Sequence, residues 1–189
     1  MDLGWGNPKA SKWITNVGLV TSDGPHGPDV MAAEWTRQVS YSPGLIMINV
    51  RSGKATHENI LKTKEFGVSI SAFDHNIIVS VAGTISGKEV DKISLLKELG
   101  FEFSKGKKTN VMLVEGAIIK FECKLIKKIE MGSHTAFIGE IIQDYPLENK
   151  EPLIYYKRKY WKLGKQIEKP SNEELKKIAE LTEKYNKKD

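Results

Sequence analysis

Between Asp29 and Ile60 the chain reads DVMAAEWTRQVSYSPGLIMINVRSGKATHENI. Two apolar runs, Val30–Arg37 and Leu45–Val50, are separated by Tyr41-Ser42-Pro43-Gly44. Both are too short for ordinary helices, and a Pro-Gly pair between them reverses the chain. The second run, LIMINV, has no polar alternation and predicts a strand buried on both faces. The same punctuation recurs along the chain. Trp13–Thr21 reads as a strand, Ser22–Asp29 (SDGPHGPD) as a loop and Val68–Phe73 as a strand. From Ala117 to Leu125 apolar residues alternate with Lys120, Glu122 and Lys124, predicting a half-exposed strand with Cys123 turned inward as inert core. Met131-Gly132-Ser133 turns it into a hairpin partner, His134–Gln143. Leu153–Tyr156 and Tyr160–Leu163 bracket a last turn at Lys157-Arg158-Lys159, with Tyr155 and Tyr156 on opposite faces. Short strands at this spacing predict an antiparallel β-barrel of six or more strands.

Helical patterns are peripheral to that plan. Thr56 is the expected N-cap of a helix running to Lys64, with Gly67 just past its end. Asp74 to near Gly83 and Asp91–Leu99 read as two more, the latter closed by Gly100 and lying as an excursion on the barrel surface. His75, at a helix start, is expected at the surface. Ser171 and Glu174 form an S-x-x-E capping box for a final helix, whose stripe of Leu175, Ile178, Leu181 and Tyr185 must pack on something. The order is not an alternating βαβ, and no GxGxxG follows a strand, which argues against a doubly wound sheet and a Rossmann domain.

The net charge of +5 invites a nucleic-acid reading, but its distribution argues otherwise. Residues 157–189 carry 11 Lys+Arg against 6 Asp+Glu, the whole of the excess. A nucleic-acid-binding barrel would carry its basic face on the folded body, with aromatics between the charges. One cysteine excludes an intrachain disulfide framework and a Cys-rich zinc site, and the four histidines lack metal-ligand spacing, so no metal is expected. No apolar run approaches the length of a membrane span, and the N-terminus lacks a signal-peptide pattern; a cytoplasmic protein is the expectation.

The turn Arg51-Ser52-Gly53-Lys54-Ala55-Thr56 is small, polar and basic and leads into a helix. Helix-start amides, a glycine for close approach, a threonine hydroxyl and two cations are what a phosphate requires, and Asn59 lies one turn further along. The alternative is a capped helix with surface basic residues.

At this point the sequence resembles the flavin reductase-like family, the FMN-binding split barrels. The pieces that carry the resemblance occur in the family's order: VGLVTSDGPHGPDVMAAEWTRQVSYSPGLIMINV, SGKATHENI, KEFGVSIS, VEGAIIKFECKLIKKIEMGSHTAFIGEI and PLIYYKRKYWKL. They cover the chain from about Thr15 to Leu163. The resemblance implies a mainly β fold, a six-stranded antiparallel Greek-key split barrel over residues 1–165. Residues 166–189 would be a helical extension packing on the barrel or on a dimer partner. It implies a homodimer with an FMN near each interface. Ala32, Ala33, Glu34 and Trp35 would line the isoalloxazine. Arg51, Ser52, Gly53, Lys54, Thr56 and Asn59 would hold ribityl and phosphate. His134, in the H-x-x-F-x-G hairpin motif, would sit at the flavin edge or the nicotinamide pocket. The competing readings are a barrel-core Trp35 and a His134 bonded to hairpin backbone. Family members often carry Ser or Thr where Glu34 stands.

The activity implied is an NAD(P)H-dependent flavin or ferric reductase, passing hydride from a nicotinamide to bound flavin. Electrons would leave to free flavin, a ferric complex or a partner protein. The alternative is a flavoredoxin-like FMN electron carrier supplied by a redox protein, with the basic tail as its docking surface.

Overall fold

The computed structural model describes residues 2–4 and 6–186. The last three residues of the expected C-terminal extension therefore lie outside the described residues. In chain order the elements are β1 (Thr15–Asn16), β2 (Gly18–Ser22), β3 (Asp29–Ala33), β4 (Thr36–Ser40), β5 (Leu45–Arg51), α1 (Ala55–Thr63), β6 (Glu65–Ile70), α2 (Asn76–Thr84) and α3 (Lys92–Glu98). Then come β7 (Phe103–Lys105), β8 (Met112–Val114), β9 (Ile119–Met131), β10 (His134–Asp144), β11 (Ile154–Tyr156), β12 (Lys159–Trp161) and α4 (Asn172–Lys184).

The main sheet has seven antiparallel strands in the order β3-β2-β6-β9-β10-β5-β4. Its two edge strands are consecutive in the chain, joined only by Glu34 and Trp35. Six inter-strand steps would hold the edges about 29 Å apart in a flat sheet, whereas the three Cα steps from Ala33 to Thr36 reach at most about 11 Å. The sheet is therefore rolled until its edges nearly meet, with Glu34 and Trp35 across the seam. The edges are not hydrogen-bonded to each other. The run Val30–Arg37, expected as one strand, is thus two strands on opposite edges. β3 pairs with β2 and β4 with β5, so the chain must leave one ladder before entering the other.

The inside of the roll is filled by Val20, Ile46, Ile48, Val50, Phe66, Val68, Cys123 and Phe137, with Ile60 of α1. A second core lies on the other face of β2 and β3, where Leu19 and Val30 pack against Ile78 and Val79 of α2 and Ile93 and Leu96 of α3. So α3 is part of the core and not a surface excursion. β2 is the strand buried along its whole length. β5 alternates, with Ile46, Ile48 and Val50 inside and Leu45, Met47 and Asn49 partly exposed. Its continuous apolar run does not make it two-sided, because neither helical layer covers its outer face.

β9 departs further from the expected alternation. Lys120 and Glu122, expected outside, are buried, while Ile119 and Phe121 are only partly so. Lys120 pairs with Glu115. The Glu122 carboxylate accepts from the amides of Lys107, Lys108 and Thr109 and from the hydroxyls of Thr109 and Tyr145. The loop before β8 folds over this face and turns a polar strand face into an interior one.

Local signals around α1 also shift. Lys54, not Thr56, is its N-cap, and the helix has no side-chain cap; Lys64, in the left-handed region at φ 63°, closes it. Gly67 lies within β6, where a Cβ would collide with Thr21. His75 is buried against the edge of the Phe101 ring and not at the surface. The capping box of α4 forms as expected, with Glu174 accepting from the Ser171 amide. Its stripe lies exposed, Leu175, Ile178 and Leu181 being 44–51% accessible.

Candidate functional site

The seam between the sheet edges opens into a cleft of about 810 Å³, in the upper part of the range for small-molecule sites. Its lining comes from the end of β3, the turn after β5, the start of α1, the α2–α3 connection, the β9–β10 turn, the N-terminal segment and the β11–β12 turn. Ala32, Ala33, Glu34, Trp35, Arg51, Lys54, Thr56 and His134 all line it. These residues are distant in sequence, and the roll of the sheet gathers them.

Trp35 is half-exposed, which excludes the core-aromatic reading. Its carbonyl accepts from the Asn49 backbone amide at 3.2 Å and from Asn49 Nδ2 at 3.3 Å, holding the seam peptide on β5. Asn49 Oδ1 is buried with no protein donor among the described residues. The His134 ring lies 4.9 Å from the indole, tilted by 48°. The two meet because His134 is directly across the ladder from Arg51 and Trp35 is fixed two residues back on the same strand. Burial, then the Arg51 charge, lowers the His134 pKa, so the ring is neutral at pH 7. Its Nδ1 shares a 2.8 Å hydrogen bond with Ser133 Oγ and not with hairpin backbone.

The start of α1 faces the cleft through Lys54, Ala55 and Thr56, with its first amides uncapped by any side chain. Arg51 and Lys54 flank them. This is a cationic, dipole-favoured position for an anion. Thr56 is differently employed than its position suggested: its Oγ1 donates to Asp29 Oδ2 at 2.7 Å. Asp29 in turn pairs with Lys92 Nζ at 2.9 Å, both side chains being buried. Ser52 and Gly53 are exposed in the turn and do not line the cleft. Asn59 is fully buried behind it and ties down the 22–28 loop, donating to Ser22 Oγ and Gly27 O and accepting from the His26 amide.

Glu34 lines the cleft with no hydrogen bond or ion pair among the described residues, and burial raises its pKa. Sequence reading had no sign of Asp29, Lys92, Tyr155, Lys157 or Arg158 as part of this cleft. The one available signal was local: two adjacent cations in a two-residue hairpin turn, a position that favours Asn and Gly.

The donor set suits a flavin. Uncapped helix amides beside Arg51 and Lys54 suit its phosphate, the half-exposed indole suits its ring, and the orphaned Asn49 Oδ1 suits an N–H donor.

Comparison with known proteins agrees with this. An uncharacterized protein of Archaeoglobus fulgidus is 32% identical over 119 residues, covering 63% of this chain and 66% of that one. A ferric-chelate reductase (NAD(P)H) from the same organism is 25% identical over 148 residues, covering 78% of this chain and 85% of its own. Among solved structures, BorF, the flavin reductase component of a bacterial two-component tryptophan halogenase, superposes with a TM-score of 0.73 at 26% identity, over 84% of this chain and 96% of that one. The model of the flavin reductase like domain matches residues 10–164. With most of its length inside that match, the chain belongs to the flavin reductase-like family.

Proposed function

We propose that the protein is an NAD(P)H-dependent flavin reductase that binds FMN in the seam cleft. The observation that carries this reading is the opening of the uncapped α1 start, flanked by Arg51 and Lys54, into the same cleft as the half-exposed Trp35 ring. One continuous segment would then hold both ends of the ligand. The bound flavin supplies the hydride-accepting ring. The chain supplies alignment, which is the larger part of what hydride transfer requires. Trp35 and His134 bound the ring site. The neutral imidazole offers a donor or an acceptor without adding charge. Asp29 and Lys92 neutralise each other beneath the phosphate position, leaving Arg51 and Lys54 to balance its charge. Ser52 and Gly53 would contribute backbone only, and Asn59 acts from behind by fixing the loop.

The finer architecture belongs to the same reading: a Greek-key split barrel whose seam is the ligand site, over residues 1–165. A homodimer fits it. Val39 on β4, Tyr41 just after it, and Ile126, Ile129 and Met131 on β9 leave apolar side chains 39–95% accessible. The exposed stripe of α4 is of the kind that packs on a partner copy. Electrons would pass on to free flavin, a ferric chelate or a partner protein.

The test is anaerobic reduction. Protein loaded with FMN should bleach on adding NADH or NADPH. Flavin that stays yellow with both nucleotides, yet bleaches with a reduced ferredoxin-type donor, would establish the electron carrier instead. Sedimentation should give twice the chain mass at micromolar concentration.

A further inference from the structure

The β11–β12 hairpin turns on two residues only, Lys157 and Arg158, since Tyr156 pairs with Lys159. Both have positive φ, 52° and 60°. A two-residue hairpin turn of this hand favours Asn and Gly, because a side chain in the left-handed region is strained. Elsewhere the chain follows that preference: Gly6, Gly27, Gly53, Gly100, Gly116 and Gly132 take positive φ, and Lys64 is the one further non-glycine among the described residues. Here two long cations in succession occupy such positions, and both line the cleft. Strain retained beside a cleft is a mark of function.

The two cations are also positioned. The Lys157 amide donates to Ser11 O at 3.1 Å, and Arg158 Nη2 donates to Gly6 O at 3.1 Å, tying the turn to the N-terminal segment that forms the same wall. The Lys157 ammonium lies 5.3 Å from the centre of the Tyr156 ring. Tyr155, on the strand leading into the turn, also lines the cleft. This wall shares no element with the Arg51–Lys54 turn.

FMN carries a single phosphate, for which the α1 start already provides. A second cationic pair in the same cleft implies a second anionic group on another ligand. Resting on the flavin reductase reading above, we infer that Lys157 and Arg158 form a separate phosphate subsite for the adenylate half of the nicotinamide dinucleotide. The group bound is the adenosine 2′-phosphate or the 5′-pyrophosphate; both are met by an arginine fork beside a lysine point charge.

The experiment uses the full chain with FMN bound and two probes that cannot be oxidised or reduced, 2′,5′-ADP and 5′-ADP. The variant is Lys157→Gly with Arg158→Gly, because glycine suits both backbone positions and should leave the hairpin at least as stable. Affinity for one or both probes should fall about tenfold or more, while FMN affinity stays within about twofold and the melting temperature does not drop. The probe that loses more identifies the phosphate. Lys157→Gln alone, with Arg158 and its bond to Gly6 retained, should give a smaller loss of the same kind. Unchanged affinity for both probes, or an equal loss of FMN affinity, would overturn the subsite. The probes need no redox chemistry, so their result stands whether or not NADH and NADPH bleach the flavin, and the two readings can fail separately.

Discussion

The Thr56 hydroxyl donates to Asp29 Oδ2 at 2.7 Å, inside the protein, and Asp29 in turn faces Lys92. A threonine at the start of a helix beside a basic turn would ordinarily offer that hydroxyl to a phosphate. Here it is committed to a buried carboxylate, and in the proposed flavin site the phosphate would fall to Arg51, Lys54 and the α1 amides. Replacing Thr56 by Ala should therefore cost about 1–3 kcal/mol of stability, by leaving Asp29 short of a donor, with little change in FMN affinity. Lys54→Ala should do the reverse, weakening FMN about tenfold at nearly unchanged stability. Flavin fluorescence titration and urea unfolding of the two variants separate the effects.

The Asp29–Lys92 pair lies at the junction of β3 and α3, with both side chains almost wholly buried. Removing one partner leaves an uncompensated charge, so Asp29→Asn should destabilise by about 3–5 kcal/mol. Asp29→Asn with Lys92→Met should recover a large part of that loss, because no buried charge remains. A double-mutant cycle in urea measures the coupling, and additive costs would show that the pair is not coupled.

Glu122 titrates against the native state. Burial pushes its pKa up, but hydrogen bonds from Tyr145, Thr109, and the Lys108 and Lys107 amides outweigh burial and hold it below the ordinary 4.5. A depressed carboxyl stabilises the fold above its unfolded pKa and loses that contribution as pH falls through the folded one. Glu122→Gln should therefore be less stable than the parent at pH 7, with the gap closing below about pH 4. Tyr145, its phenol pushed up to about 12 by burial and by Glu122, remains a donor throughout.

Glu34 lines the seam cleft with no hydrogen bond or ion pair among the described residues, and burial raises its pKa. When ionised it opposes added negative charge on a neighbouring flavin. Glu34→Gln should raise the midpoint potential of the bound flavin by on the order of 30 mV. As pH falls below the raised pKa the parent carboxyl becomes neutral, and the difference should vanish. Spectroelectrochemical titration across pH reads both effects.

Gly139 ends the H-x-x-F-x-G motif, and its reason is packing. A Cβ there would be driven into the Phe66 ring and to 2.9 Å from Cys123 Cβ, in the centre of the inner core. Gly139→Ala should cost about 1–3 kcal/mol through overpacking. Cys123, its thiol pushed up to about 12 by burial and by the Glu122 charge, should meanwhile react with thiol reagents only on unfolding in the parent. Faster labelling in Gly139→Ala would report the loosened core.

Local chemistry alone determined much of this protein. The Met131-Gly132-Ser133 turn marked β10 as a hairpin partner, Pro-Gly marked the Tyr41–Gly44 turn, Asp91 and Gly100 bounded α3, and Ser171 with Glu174 capped α4. The small basic turn before α1, the motif around His134 and the ordered series of segments point by themselves to a flavin-binding family. These signals are carried by residues within one turn or one strand of each other. What required the tertiary structure depends on contacts between distant segments. Side-chain alternation shows that a strand has two faces, not what covers them, so Lys120 and Glu122 read as solvent-facing, whereas Lys120 pairs with Glu115 and the 106–111 loop folds over Glu122. A continuous run such as Val30–Arg37 cannot reveal that its halves pair with β2 and β5 at opposite sheet edges, since those partners lie elsewhere in the chain. That division puts Glu34 and Trp35 on the seam. The packing of α3 and of the separate β1-β11-β12 sheet beside the seam then brings Lys92 and the Lys157–Arg158 turn to the same cleft as Asp29, a proximity that no spacing in the sequence encodes.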